Sequence, residues 1–246
     1  MDPEIIKQVR DDLLESVAQY ETLEHERLVL YLRSQRAWAE AALDYAGRYS
    51  DALELARDGL RYAENGPQSV RLITNGAARA LGKLGDTQGV HRAIGEADDL
   101  MMRNDVPGGI ASSITLGCYS RTQAVSNAAT AYVSLEMPDK VQHYIGLAIP
   151  ETISCGSPWS QSLVKIDLAS SFLWPRSLDL EHACTLAREA LEVSAGRPVV
   201  SVHQRATAFV RAATAIQGNS PQIAEIREIA GILGTPRPPA RPGRLP

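Results

Sequence analysis

The stretch LGKLGDTQGVHRAIGEADDL, residues 81–100, decides how the whole chain reads. A helical run stops at Gly85-Asp86 and restarts at once with Val90, Ile94 and Ala97, at offsets of four and three. Those offsets place the three side chains on one helical face. A single helix gains nothing from such a break, whereas two helices joined by a tight turn form an αα-hairpin. Gly85 suits that turn because a residue just past a helix end often needs positive φ, which glycine adopts without steric cost.

The same break recurs in AGRYSDALELARDGLRYA (46–63), LEMPDKVQHYIGLAI (135–149) and SLDLEHACTLAREALEV (177–193). Each restart repeats the offsets of four and three: Ala52, Ala56 and Gly59; Val141, Ile145 and Ala148; Ala183, Ala187 and Ala190. Ahead of each break runs another helical segment rich in alanine: RAWAEAALDYA, LITNGAARALGKL, AVSNAATAYVSL and LVKIDLASSFL. Gly47 serves the first turn. Glu136-Met137-Pro138 replaces glycine in the third, with Pro138 suited to the first turn of the returning helix. A fifth pair is read in VHQRATAFVRAATAIQG and SPQIAEIREIAGILG, with Ser220 as N-cap and Pro221 at the first helical position.

Small residues at fixed places mean that neighbouring helices approach closely there. This is the pattern of the tetratricopeptide repeat, whose unit is about 34 residues. Here the turn positions 47, 85, 136 and 178 are 38, 51 and 42 residues apart, so the repeats are degenerate and carry insertions. The longest insertion holds NDVPGGIASSITLGCYS, whose Pro-Gly-Gly marks a loop. The expected fold is all-α, a right-handed α-solenoid of about five such hairpins spanning residues 25–234. Residues 1–24 are expected to supply a capping helix. Residues 235–246, with five prolines, are expected to form an extended, solvated tail.

Composition agrees with this class. The 246 residues are 44% hydrophobic and 22% charged, ordinary for a globular chain, while aromatics are only 5%, which favours close helix packing over a β-sandwich. Net charge is −4 although Arg237, Arg241 and Arg244 sit in the tail, so the repeat region is more acidic still. With no basic stripe to neutralise phosphates, direct nucleic-acid binding is not expected. No apolar run reaches membrane-spanning length and no leader is evident, so the chain reads as cytoplasmic. Three widely spaced cysteines, Cys118, Cys155 and Cys184, match neither a disulfide framework nor a metal motif, and Cys184 reads as a small buried side chain.

The runs RAWAEAALDYAGRYSDALELARDGLRYA, GAARALGKLGDTQGVHRAIGEADDLM, DLEHACTLAREALEVS and HQRATAF together resemble the C-terminal tetratricopeptide-like region of actinobacterial helix-turn-helix (XRE-type) transcription regulators, over roughly residues 25–232. The resemblance implies a sensory or dimerising helical domain. The family's DNA-binding head is expected to be missing here, because only about 25 residues precede the first repeat, fewer than a trihelical head needs.

Chemistry is sparse. No HExxH, CxxC or GxxxxGK[ST] occurs, so neither a metal nor a cofactor is expected. His91, His143 and His182 each adjoin a packing position, which reads as a polar site bordering the buried face. Cys155, in a Gly/Ser/Pro loop beside Trp159, supports an alternative reading as an enzyme nucleophile with His182 as base. Trp159 itself reads as a plug at the join of the third and fourth hairpins. The preferred reading is a non-catalytic interaction module. In a tetratricopeptide stack the first helices line the concave side, and polar residues there are Asn75 and Arg79; Arg121, Ser126, Asn127 and Thr130; Gln161 and Lys165. Asn is less favourable than Ala inside a helix by up to about 0.7 kcal/mol, which suggests a use. The ligand expected is a peptide, a protein partner or a small signal, favoured when acidic, and a homodimer is compatible with it.

Overall fold

The computed structural model describes residues 46–61, 63, 66–103, 119–154, 157–195 and 199–234. The expected capping helix, the first helix of the first hairpin, the 104–118 insertion, Cys118, Cys155 and the tail lie outside them. Among the described residues there are nine helices and no strand. They are α1 (Tyr49–Leu60), α2, α3 (Thr87–Arg103), α4 (Arg121–Ser134), α5 (Pro138–Ser154), α6 (Pro158–Ser171), α7 (Leu180–Val193), α8 (Val200–Gln217) and α9 (Pro221–Gly234). Helix α2 is continuous but not uniform: Pro67–Arg71 and Arg79–Lys83 are α-helical, and Leu72–Ala78 between them is a π-helix.

The chain divides into two compact units, Met1–Cys155 and Gly156–Pro246. In unit 1, α2 pairs with α3 and α4 with α5, while α1 packs on α2 and α2 packs on α4. In unit 2, α6 pairs with α7 and α8 with α9, while α6 packs on α8 and α7 on both α8 and α9. Within each unit, then, the first helix of one hairpin lies on the first helix of the next.

Local chemistry explains the turns. Gly47 and Gly85 have φ of 76° and 77°, and Glu136, at the equivalent place in the third turn, holds φ of 55°. At two of these turns the backbone closes in the same way: the Asp86 N–H donates to the Leu81 carbonyl at 3.0 Å, and the Met137 N–H to the Tyr132 carbonyl at 3.2 Å. Both are the six-to-one bond of a Schellman cap, which demands a left-handed residue just before the donor. Asp86 then accepts from the Gly89 N–H at 2.8 Å and starts α3, so a single residue ends one helix and begins the next. Asp179 begins α7 in the same manner through the His182 N–H.

All twelve repeat positions named above, from Ala52 to Ala190, are buried. Their small size has visible causes. A Cβ on Gly59 would stand 3.1 Å from Leu72, and one on Gly82 would stand 2.6 Å from the Ala131 carbonyl oxygen across the α2–α4 contact. Ser162, fully buried on α6, donates to the Ala190 carbonyl at 2.6 Å, which holds α7 against its partner there. In unit 2 the core also gathers Ile166, Leu191, Phe209, Ile223 and Ile226. Removing a large side chain of this kind typically costs about 2–5 kcal/mol.

Candidate functional site

Unit 1 brings most of the sequence-selected polar residues onto two adjacent helices. Thr74 and Asn75 sit in the π segment of α2, Arg79 follows it directly, and Ser126, Asn127 and Thr130 occupy the middle of α4. Ser120 positions α4 through a capping box with Gln123, each side chain taking the other's backbone N–H. That box fixes the preceding residue, Tyr119, which is 5% exposed.

The Tyr119 hydroxyl is the centre of the arrangement. It lies 3.1 Å from Thr74 Oγ1 and accepts from Asn127 Nδ2 at 2.7 Å. Thr74 donates its own proton to the Val70 carbonyl at 2.8 Å, so Tyr119 must be the donor to Thr74. The result is a directed chain, Asn127 to Tyr119 to Thr74 to the Val70 carbonyl, linking α4 to α2 with neutral groups only. Burial pushes the Tyr119 phenol above its ordinary value, against the opposing pull of these hydrogen bonds and of the Arg71 and Arg79 charges.

The remaining expected residues are partly committed to their own helices. Ser126 donates to the Thr122 carbonyl, Thr130 to the Ser126 carbonyl, and Asn127 also to the Gln123 carbonyl. Arg79 Nη1 donates to Asn75 Oδ1 at 2.9 Å, one helical turn away. Arg121, exposed at the start of α4, reaches the Met101 carbonyl at 3.4 Å. In unit 2, Lys165 pairs with Glu189 at 2.8 Å, and that hydrogen bond holds the Glu189 carboxyl below its ordinary range. Gln161 is half-buried on α6. The structure therefore brings Asn75, Arg79, Ser126, Asn127 and Thr130 onto the adjoining helices α2 and α4. It places Gln161 and Lys165 on the other unit.

A second polar cluster in unit 1 joins α3, α4 and α5. His91 Nδ1 lies 2.9 Å from the Tyr132 hydroxyl, Tyr132 stacks on Tyr144 at 5.6 Å, and the Tyr144 hydroxyl donates to Asp98 at 3.2 Å. Burial raises the Asp98 carboxyl and both phenols. Each of the three turn-adjacent histidines thus meets an aromatic ring: His91 on Tyr132, His143 on Tyr144, and His182 on Phe172 at 4.7 Å.

Several working residues escaped the sequence reading. Asp167, 2% exposed, receives Arg205 Nη1 at 2.6 Å and so links α6 to α8. Arg205 belongs to the QRA element, and Asp167 is the one acid inside LVKIDLASSFL; that charge in an alanine-rich helix was the available signal. Thr122 donates to Glu151 across the α4–α5 pair. Trp159, at the first turn of α6, donates its indole Nε1–H to Ser201 Oγ at 3.0 Å on α8. Cys184 is buried, and burial raises its thiol. A cleft of about 560 Å³ opens along α1 beside Glu54, Arg57, Asp58 and Arg61, and none of the expected residues lines it. Among the described residues no group of three or more His, Cys, Asp or Glu side chains could hold a metal ion. No described helix is long and apolar enough to cross a membrane.

No protein-family model matches the chain, and neither a curated protein nor a solved structure matches it significantly.

Proposed function

We propose that this chain is a non-catalytic interaction module, a right-handed stack of tetratricopeptide-like hairpins that takes a peptide, a partner protein or a small signal against its first helices. The observation that carries this reading is the packing of α2 on α4, which brings the half-buried Asn75, Arg79, Ser126 and Asn127 onto adjoining first helices, beside the buried Thr130 and Tyr119. The Asn75 amide can donate to a ligand carbonyl, while Asn127, whose two N–H groups go to Tyr119 and the Gln123 carbonyl, can accept from a ligand N–H, so together they recognise an extended backbone without reading its side chains. The resemblance to the sensory region of helix-turn-helix regulators supports a regulatory setting for such binding. Dimerisation is part of the same proposal.

Native mass spectrometry of the chain recovered from its own cells identifies the ligand, and titration calorimetry then tests the groove. Asn75→Ala, Arg79→Ala and Asn127→Ala are each expected to weaken binding by roughly 5- to 150-fold, the effect of losing one buried hydrogen-bond partner. Wild-type affinity in all three folded variants would remove α2 and α4 as the site.

A further inference from the structure

None of the groove residues lines the cleft of about 560 Å³ beside α1, whose volume falls within the usual range for small-molecule sites, roughly 300–1,000 Å³. Leu53, Glu54, Arg57, Asp58 and Arg61 reach it from one α-helical face, spaced three and four apart, and Leu84 reaches it from the end of α2. Two acids and two arginines line the cleft, so it carries no net charge. Asp58 and Arg61 hold each other at 3.7 Å. Glu54 and Arg57 are both exposed and stand three residues apart, a spacing at which opposite charges often meet. Yet among the described residues neither of them has a hydrogen bond or an ion pair. The cleft thus offers one open carboxylate and one open guanidinium, with Leu53, 8% exposed, and Leu84, 46% exposed, as its apolar lining.

We propose that this cleft is a binding site for a small zwitterion with an apolar side chain, of the size of an amino acid or a dipeptide. The ligand's ammonium group donates to Glu54, its carboxylate accepts from the Arg57 guanidinium fork, and its side chain covers Leu84 and Leu53. The charge pattern decides against simpler ligands. An anion that reaches Arg57 also meets Glu54 and Asp58, and a cation that reaches Glu54 also meets Arg57 and Arg61, so each gains one attraction and suffers a repulsion. A zwitterion meets an opposite charge at both ends. Because Glu54 and Arg57 are exposed, each pair contributes modestly, and a dissociation constant on the order of millimolar is expected.

Titrating the isotopically labelled full chain by NMR tests the site, with leucine and leucyl-leucine as zwitterions and, in slightly acidic buffer, N-acetyl-leucine and leucinamide as single-charge analogues. The Arg57 Nε–Hε signal and the Leu53 and Leu84 methyl signals are expected to follow one saturating curve with at least one zwitterion. The exposed Arg211 and Met102 are expected to drift without saturating. The zwitterion with the lower midpoint distinguishes an amino acid from a dipeptide. N-acetyl-leucine lacks the ammonium charge and leucinamide lacks the carboxylate, so each is expected to bind about fivefold more weakly than leucine. Glu54→Gln is expected to erase the advantage over N-acetyl-leucine, and Arg57→Gln the advantage over leucinamide. No saturation at Arg57 with either zwitterion, or equal midpoints for leucine and both single-charge analogues, would overturn the proposal. The titrations of the unaltered chain decide the matter even if a variant fails to fold.

Discussion

In unit 1 the first helices meet through bare backbone at Gly82 and Ala131 and through the neutral chain Asn127–Tyr119–Thr74, whereas in unit 2 they meet through the charged pair Asp167–Arg205. The difference matters because the two junctions respond differently to the loss of one member. Both helical side chains of the neutral chain have a second partner within their own helix: Thr74 keeps the Val70 carbonyl and Asn127 keeps the Gln123 carbonyl. Asp167 is a carboxylate only 2% exposed, and stripping Arg205 removes the cation that compensates that buried charge. A buried ion pair is thus a weak contributor when whole and a costly one when halved.

The largest expected effect breaks the unit 2 junction. Arg205→Ala or Asp167→Ala should lower stability by about 3–5 kcal/mol, while the double change Asp167→Leu with Arg205→Met should recover most of that loss. Chemical denaturation followed by circular dichroism checks it, and single changes as mild as the double one would show that the pair is exposed to water after all. Next comes the backbone contact of unit 1. Gly82→Val places carbon where the Ala131 carbonyl oxygen stands, and a backbone atom cannot swing aside, so a loss of about 1–3 kcal/mol is expected. An unchanged denaturation midpoint would mean that α2 and α4 are not in this close contact.

Tyr119→Phe should cost less than either, about 1 kcal/mol, since its neighbours retain their intrahelical acceptors. A loss as large as that of Arg205→Ala would erase the contrast between the junctions. The smallest effect lies outside both. Glu136 holds φ of 55°, a region that favours glycine, so Glu136→Gly should raise stability by up to about 1 kcal/mol. A thermal unfolding midpoint that falls instead would indicate a tertiary role for the Glu136 side chain.

How much of this was legible depended on the range of the interaction. The repeat positions Ala52, Val90, Val141 and Ala183 and their partners were readable because helical periodicity is local and burial enforces it. The turns at Gly47 and Gly85 were readable for the same reason, and Glu136 showed where glycine is dispensable. The polar positions were placed correctly on their helices, but periodicity could not foresee their bonding. Ser126, Asn127 and Thr130 each reach a carbonyl four residues back, and Lys165 reaches Glu189, 24 residues on. Tyr119 went unnoticed because its role appears only when α2, α4 and the residue before the cap come together. The π segment was invisible, since LITNGAARALGKL has the composition of an ordinary helix.

That π segment makes α2 a rod with two phases. A turn closed from i to i−5 holds one more residue than an α turn, and each α residue rotates about 100° around the axis. The stretch Arg79–Lys83 is therefore turned relative to Pro67–Arg71 by an amount that an uninterrupted α-helix would not give. Deleting one residue between Leu72 and Ala78 would let the bonds relax to the α pattern and would rotate Gly82 away from Ala131. In genetic terms, this hairpin should be less tolerant of a one-residue deletion inside its helix than of a substitution almost anywhere on its surface.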